Sequence, residues 1–159
     1  MKEESSVERL DELDRAILER LQLDGRASNS RLAEEVGLSE TPCWRRIKRL
    51  ETDGIISTYS ANLDRRKLGL GVFAFVEVKF STHDTELSRE FESAVESIPQ
   101  ILTCHNVTGE VDYILQVVAK DLDDYGRFTA VLRNLPGVMA IHSILSLREV
   151  KKFSGLPLD

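Results

Sequence analysis

Arg45, Arg46, Lys48 and Arg49 place four cations in five consecutive positions of a 159-residue chain whose formal net charge is -6. Guanidinium and ammonium groups at that density attract polyanions, and the planar guanidinium also offers paired donors to a phosphate or to the edge of guanine. The positive charge is segregated: between Thr41 and Lys67 seven cations face three anions, and the remainder of the chain is acidic. That balance excludes a protein that coats nucleic acid by bulk charge, and suits one with a single polyanion-binding face. Other chemistries find no support. Cys43 and Cys104 are the only cysteines and form no CxxC pair, so neither a disulfide framework nor a zinc site is expected. Cys104 and His105 are adjacent on an expected strand and would point to opposite faces, which cannot easily ligate one ion. The Gly69-Leu70-Gly71 triplet precedes a strand instead of opening a helix, so it fails as a dinucleotide fingerprint. With no nucleophile–base pair and no phosphate loop, an enzyme is not expected.

The elements that must position the cations follow from spacing. Leu10, Leu13, Ile17, Leu18 and Leu21 form an apolar stripe at 3/4 spacing, a first helix ended near Gly25. Ser28 or Asn29 caps a short second helix with Leu32, Ala33 and Val36 inward, and Gly37 supplies the turn after it. Ser39 caps a third helix, Pro42 falls in its first turn where a missing N–H costs little, and Gly54 closes it. Two helices joined by a tight turn at Gly37-Leu38-Ser39 are the layout of a helix-turn-helix. On the third helix Cys43, Ile47 and Leu50 face the core, so Thr41, Arg45, Lys48 and Thr52 lie on the opposite face, with Arg46 and Arg49 flanking. Such a helix lies in a DNA major groove: Arg45 and Lys48 are candidates for base edges, Arg46 and Arg49 for phosphates. Thr41 and the Ser28–Arg31 region, with Pro42 beside them, add backbone contacts; Trp44 serves either DNA contact or packing.

The second part repeats itself at an offset of 37: Asp84, Phe91, Pro99 and His105 recur as Asp121, Phe128, Pro136 and His142. Each copy reads as strand, amphipathic helix, proline turn and strand. Two such units make a four-stranded antiparallel sheet with both helices on one face, a ferredoxin-like arrangement. Val72, Ala74, Val76, Val78 and Phe80 face the helices, which leaves Phe73 and Phe75 on the other side. The simplest cover is the same face of a second copy, giving a two-fold dimer that pairs two helix-turn-helix units on a roughly palindromic double-stranded operator. The expected division is a DNA-binding domain over residues 1–60, a linker over 61–71 and the α+β domain over 72–159. No apolar run is long enough to span a membrane and the acidic N-terminus is unlike a signal peptide, so a cytoplasmic location is expected.

The stretch "LDELDRAILERLQLDGRASNSRLAEEVGLSETPCWRRIKRLETDGII", followed later by "CHNVTGEVDYIL", "LPGV" and "REVK", resembles the Lrp/AsnC family of feast/famine transcription regulators over almost the whole chain. The resemblance implies an N-terminal winged helix-turn-helix and a C-terminal βαββαβ domain that dimerises and assembles further, often to an octamer. It also implies an amino acid or related small molecule bound between dimers, and no cofactor.

The effector loop of the family corresponds to "VTGEVDYI". A free amino acid carries a carboxylate and an ammonium close together, so backbone N–H groups around Thr108, Gly109 and Glu110 suit the former and Asp112 the latter, a structural partner of the turn being the alternative role of Asp112. Asn106, Leu122, Ile144 and Ser146 match family positions at or near that pocket. The last strand, "SILSL", departs from the aromatic-containing versions of leucine-responsive members. The closing "KKFSGLPLD" resembles a branch of local regulators of amino-acid catabolism or uptake, with cysteine, a branched-chain amino acid, proline or glutamate as candidate effectors. The rival expectation is an architectural DNA-binding protein indifferent to small molecules.

Overall fold

The computed structural model describes residues 10–81 and 84–158, and its contacts divide into two units: residues up to Asn62 together with those from Lys151 on, and Leu63–Val150. In the first unit three helices, α1 (Glu12–Leu23), α2 (Asn29–Glu35) and α3 (Glu40–Thr52), enclose a core of Ile17, Leu18, Leu32, Ala33, Cys43 and Leu50. Their ends follow from local chemistry. Asp11 accepts from the Asp14 N–H at 2.8 Å while the Asp14 carboxylate takes the Asp11 N–H at 3.3 Å, a reciprocal cap that satisfies two otherwise orphaned donors. Ser28 caps α2 by accepting from the Arg31 N–H. Ser39 holds the capping position of α3, but its hydroxyl makes no cap bond; the Asn29 side-chain amide instead donates to the Glu40 carbonyl at 2.9 Å and ties the start of α3 to α2. Gly37 and Gly54 both adopt positive φ where α2 and α3 stop, as a left-handed terminator requires.

The division departs from the expected one at two places. Residues 63–71 are not a loose linker: Asp64 accepts from the Arg66 N–H, the Leu70 N–H closes on the Arg65 carbonyl, and Arg65 donates to the carbonyls of Leu70 and Gly71. They form a compact turn of the second unit. The C-terminal segment, expected with the α+β domain, belongs instead to the helical unit. Gln22 brackets Leu156, accepting its N–H at 2.5 Å and donating to its carbonyl at 3.1 Å; Arg15 donates to the Leu158 carbonyl at 2.6 Å, and Leu158 packs on the helical core. No described residue between α3 and the second unit forms a strand.

In the second unit β1 (Val72–Phe80), α4 (Thr85–Glu96), β2 (Ile101–Asn106), β3 (Tyr113–Ala119), α5 (Leu122–Arg133) and β4 (Val138–Leu145) form a four-stranded antiparallel sheet in the order β2-β3-β1-β4. The 37-residue repeat is structural: Asp84 and Asp121 cap α4 and α5 in corresponding ways. Alternation along β1 buries Ala74, Val76, Val78 and Phe80 with Phe91, Val95, Phe128 and Leu132 from the helices. Phe80, Phe91 and Tyr113 interlock with ring centroids 4.8–5.3 Å apart. Gly137 closes on this cluster, since a Cβ there would meet the Phe80 ring at 2.8 Å and its φ is +75°. Phe73 and Phe75 lie on the other side of the sheet, edge to face with each other at 5.4 Å.

Candidate nucleic-acid interface and ligand site

On α3 the buried seam of Cys43 and Leu50 turns Thr41, Pro42, Trp44, Arg45, Lys48 and Arg49 outward. The four cations are not equivalent. Arg45 is exposed and makes no ion pair with any described residue. Lys48 reaches Glu51 at 2.6 Å on the surface, and its ammonium, helped by the Tyr59 hydroxyl, holds the Glu51 carboxyl below the usual range. Arg46 and Arg49, expected on phosphates, turn towards α1. Arg46 donates through Nη1 to Asp14 at 2.8 Å and to Asp11 at 2.6 Å, and Arg49 donates through Nη2 to the other Asp14 oxygen. The reason is Asp14, fully buried, whose ionised carboxylate must find cationic donors or be neutralised. Asp11 is held below its ordinary value by the Asp14 N–H and then by Arg46, and the same two acids raise Arg46.

Beside this face Ser28 touches Ser30 at 3.1 Å, and Arg31 is spent on Glu35 and Asp24 at 3.0 and 3.3 Å. Asn29 is committed through its amide nitrogen to α3. Trp44, 52% exposed, forms one wall of an open cleft of about 250 Å³ with Tyr59, Leu32 and Ile47, so it is partly packed and partly presented. Sequence reasoning missed Asp11 and Asp14 as determinants of the basic helix. The signal was present: Asp14 interrupts the apolar stripe at a position that faces inward.

The second candidate site is divided. Asn106, Thr108, Gly109, Glu110 and Asp112 cluster at the β2–β3 turn. The Val107 N–H and the Asn106 amide both donate to the Asp112 carbonyl at 3.0 Å, and Gly109 adopts φ +130° at the tip. The Asp112 carboxylate accepts the Phe80 N–H at 2.7 Å, so it braces the turn against β1. Leu122, Ile144 and Ser146 do not join this group. Leu122 begins α5 just after β3 ends at Ala119, Ile144 lies opposite Phe75, and Ser146 donates its N–H to Phe73. β3 runs from the turn cluster towards this second group, and its seven residues span about 20 Å. Within one chain the expected pocket is therefore not assembled. Among the described residues no group of metal-ligating side chains occurs, and burial, with a smaller push from Glu92, raises the Cys104 thiol to about 11.

These two surfaces fall within two family modules. A family model for the AsnC-type helix-turn-helix domain matches residues 10–51, and one for the Lrp/AsnC ligand binding domain matches residues 73–156. The chain belongs to the Lrp/AsnC family. It is 39% identical over 151 residues to the DNA-binding transcriptional activator DecR of Escherichia coli, covering 94% of this chain and 99% of that protein. It is 38% identical over 148 residues to the leucine-responsive regulatory protein of Klebsiella pneumoniae, covering 92% and 90%. Among solved structures, a Neisseria meningitidis transcriptional regulator in complex with L-methionine matches with a TM-score of 0.91 at 37% identity, over 94% of this chain and 97% of that one. An AsnC family transcriptional regulator from Agrobacterium tumefaciens matches at 0.89 and 36% identity, over the same shares. This Lrp/AsnC protein is thus a transcriptional regulator with a DNA-binding helix-turn-helix and a ligand-binding domain. Among its described residues no helix is long and apolar enough to cross a membrane.

Proposed function

We propose that this regulator recognises a pseudo-palindromic operator through α3 and changes its DNA binding when a free amino acid occupies a pocket shared between copies. The observation that carries the first half is Arg45, exposed on the outward face of α3 and without an ion pair to any described residue, with Lys48 one turn later. An exposed guanidinium that no described acid holds is available for a bidentate contact with guanine. Thr41 and Ser28 border the same face and suit phosphate or sugar contacts, and Arg31 joins them only by leaving Glu35 and Asp24.

The ligand half rests on the divided site. The Asn106–Asp112 turn offers N–H donors and an acid to an amino acid's head group, while Leu122, Ile144 and Ser146 offer a mostly apolar surface elsewhere on the same domain. One ligand can touch both sets only if they come from different copies, which supports a pocket at a contact between dimers. The methionine held by the Neisseria regulator makes an amino acid the favoured chemistry. Phe73, Phe75 and Ile144 supply the open sheet face through which two copies pair, and further assembly towards an octamer builds the pockets. The protein acts in the cytoplasm as a local regulator of amino-acid metabolism or uptake.

The test is binding of the purified protein to its own upstream DNA and to unrelated DNA of equal length at fixed salt, with each of the amino acids, methionine included, added in turn. Selective binding altered by one amino acid is the expected result. Binding without preference or response would identify a ligand-independent architectural protein and overturn the reading.

A further inference from the structure

Asp14 is buried and charged in a three-helix unit where an apolar residue would pack as well; ion pairs in that setting contribute little net stability, because desolvation offsets attraction. Its partners are two of the four cations of the basic run. Asp14 and Asp11 together with Arg46 and Arg49 sum to zero formal charge, so half of the positive charge that the sequence places on α3 is neutralised from α1. The guanidiniums are nonetheless accessible: the Arg46 side chain is 25% exposed and that of Arg49 47%.

We propose that Asp14, assisted by Asp11, is a positioning residue for DNA recognition that withholds Arg46 and Arg49 from the phosphate backbone and so restrains binding to DNA of any sequence. This rests on the reading that α3 meets DNA. Affinity that ignores sequence grows with the number of phosphates neutralised, whereas discrimination comes from base edges. A guanidinium bound to a buried carboxylate cannot reach a phosphate without abandoning a charge-assisted pair. Recognition then depends on Arg45 and Lys48, which are not held by α1. The acids act on the ratio of operator to random binding through cations that contact no base.

Asp14→Asn keeps the size of the side chain and an oxygen acceptor for the cap of α1, while removing the charge that retains both arginines. Asp11→Asn releases only one contact to Arg46, and asparagine caps helices as well as aspartate does. Glu40→Gln is the control: it removes one negative charge from the first turn of α3 and, among the described residues, frees no guanidinium. Affinity for the upstream DNA and for random DNA of equal length would be measured across a salt series for the full-length wild type and each variant, with folding checked by circular dichroism. For Asp14→Asn, random DNA binding should tighten about tenfold at low salt, and the slope of log affinity against log salt should steepen by about one. The operator-to-random ratio should fall. Asp11→Asn should move both quantities the same way by less, and Glu40→Gln should leave the slope unchanged. A slope in Asp14→Asn equal to that of wild type, or matched by Glu40→Gln, overturns the proposal; so does weaker binding to both DNAs without a slope change, the result of a merely structural role. Should Asp14→Asn not fold, Asp11→Asn alone decides between these outcomes. If wild type itself shows no preference for its upstream DNA, the operator reading fails independently of the variants.

Discussion

The two candidate sites differ in how much of the chain each needs. The candidate DNA-facing surface centres on one face of a single 13-residue helix, so most of its members are brought together by the helical repeat alone. The candidate ligand site draws on a hairpin turn, the start of α5 and the end of β4, which the sheet holds apart. Local periodicity is enough to build an interface for a long polyanion. Enclosing a small ligand requires elements that meet only through tertiary or quaternary contacts.

The largest effect that sharpens this contrast is on stability. Phe91 is fully buried in the α+β core, and Phe91→Ala should cost about 3–5 kcal/mol. Trp44 is the only tryptophan and sits in the helical unit, so its fluorescence in urea reports that unit, while far-ultraviolet circular dichroism reports both. An early loss of dichroism with an unmoved tryptophan transition is expected; coincident transitions would show that the two units unfold together. Next, Arg45→Ala should lose about 1–3 kcal/mol of operator affinity with little change on random DNA, read by fluorescence anisotropy. Equal losses on both would reassign Arg45 to a phosphate.

A smaller stability change with a decisive functional readout comes from Asp112→Asn. Asparagine retains an oxygen for the Phe80 N–H, so stability should change by less than about 1 kcal/mol, yet the charge that would hold an ammonium is gone. Any amino-acid-induced shift in melting temperature should vanish; a retained shift would leave Asp112 as a brace of the turn only. Gln22→Ala removes two exposed hydrogen bonds to the C-terminal segment and should cost about 0.5–1 kcal/mol. Faster proteolysis between Lys151 and Leu158 is the accompanying sign.

The smallest effect is with pH. The folded Asp11 carboxyl lies below its ordinary value of 3.8, so its contribution is present above that value and is lost as pH falls through the lower, folded one. Acid unfolding should therefore begin below about pH 4 and be shallower in Asp11→Asn.

Much of the architecture was legible because its signals are short-range. The three helices, their glycine stops, the 37-residue repeat and the alternation of β1 all follow from spacings within a few turns or one strand. What was missed depends on long-range partners. Arg46 and Arg49 look like free cations until Asp14, more than 30 positions earlier, is placed beside them. The final residues look like a trailing end until Gln22 and Arg15 receive them. The Asp64–Gly71 turn reads as a linker because most of its bonds are to its own backbone, which composition does not reveal.

The sequence by itself determined the two modules, the helix that carries the basic face and the residues of the β2–β3 turn, because helical and strand periodicities and glycine positions are properties of neighbouring residues. The tertiary structure alone decided which cations are held by acids and how far apart one chain keeps the two groups of candidate ligand residues. Charge pairing and pocket closure depend on distances between elements far apart in sequence, and those distances exist only after the cores have packed.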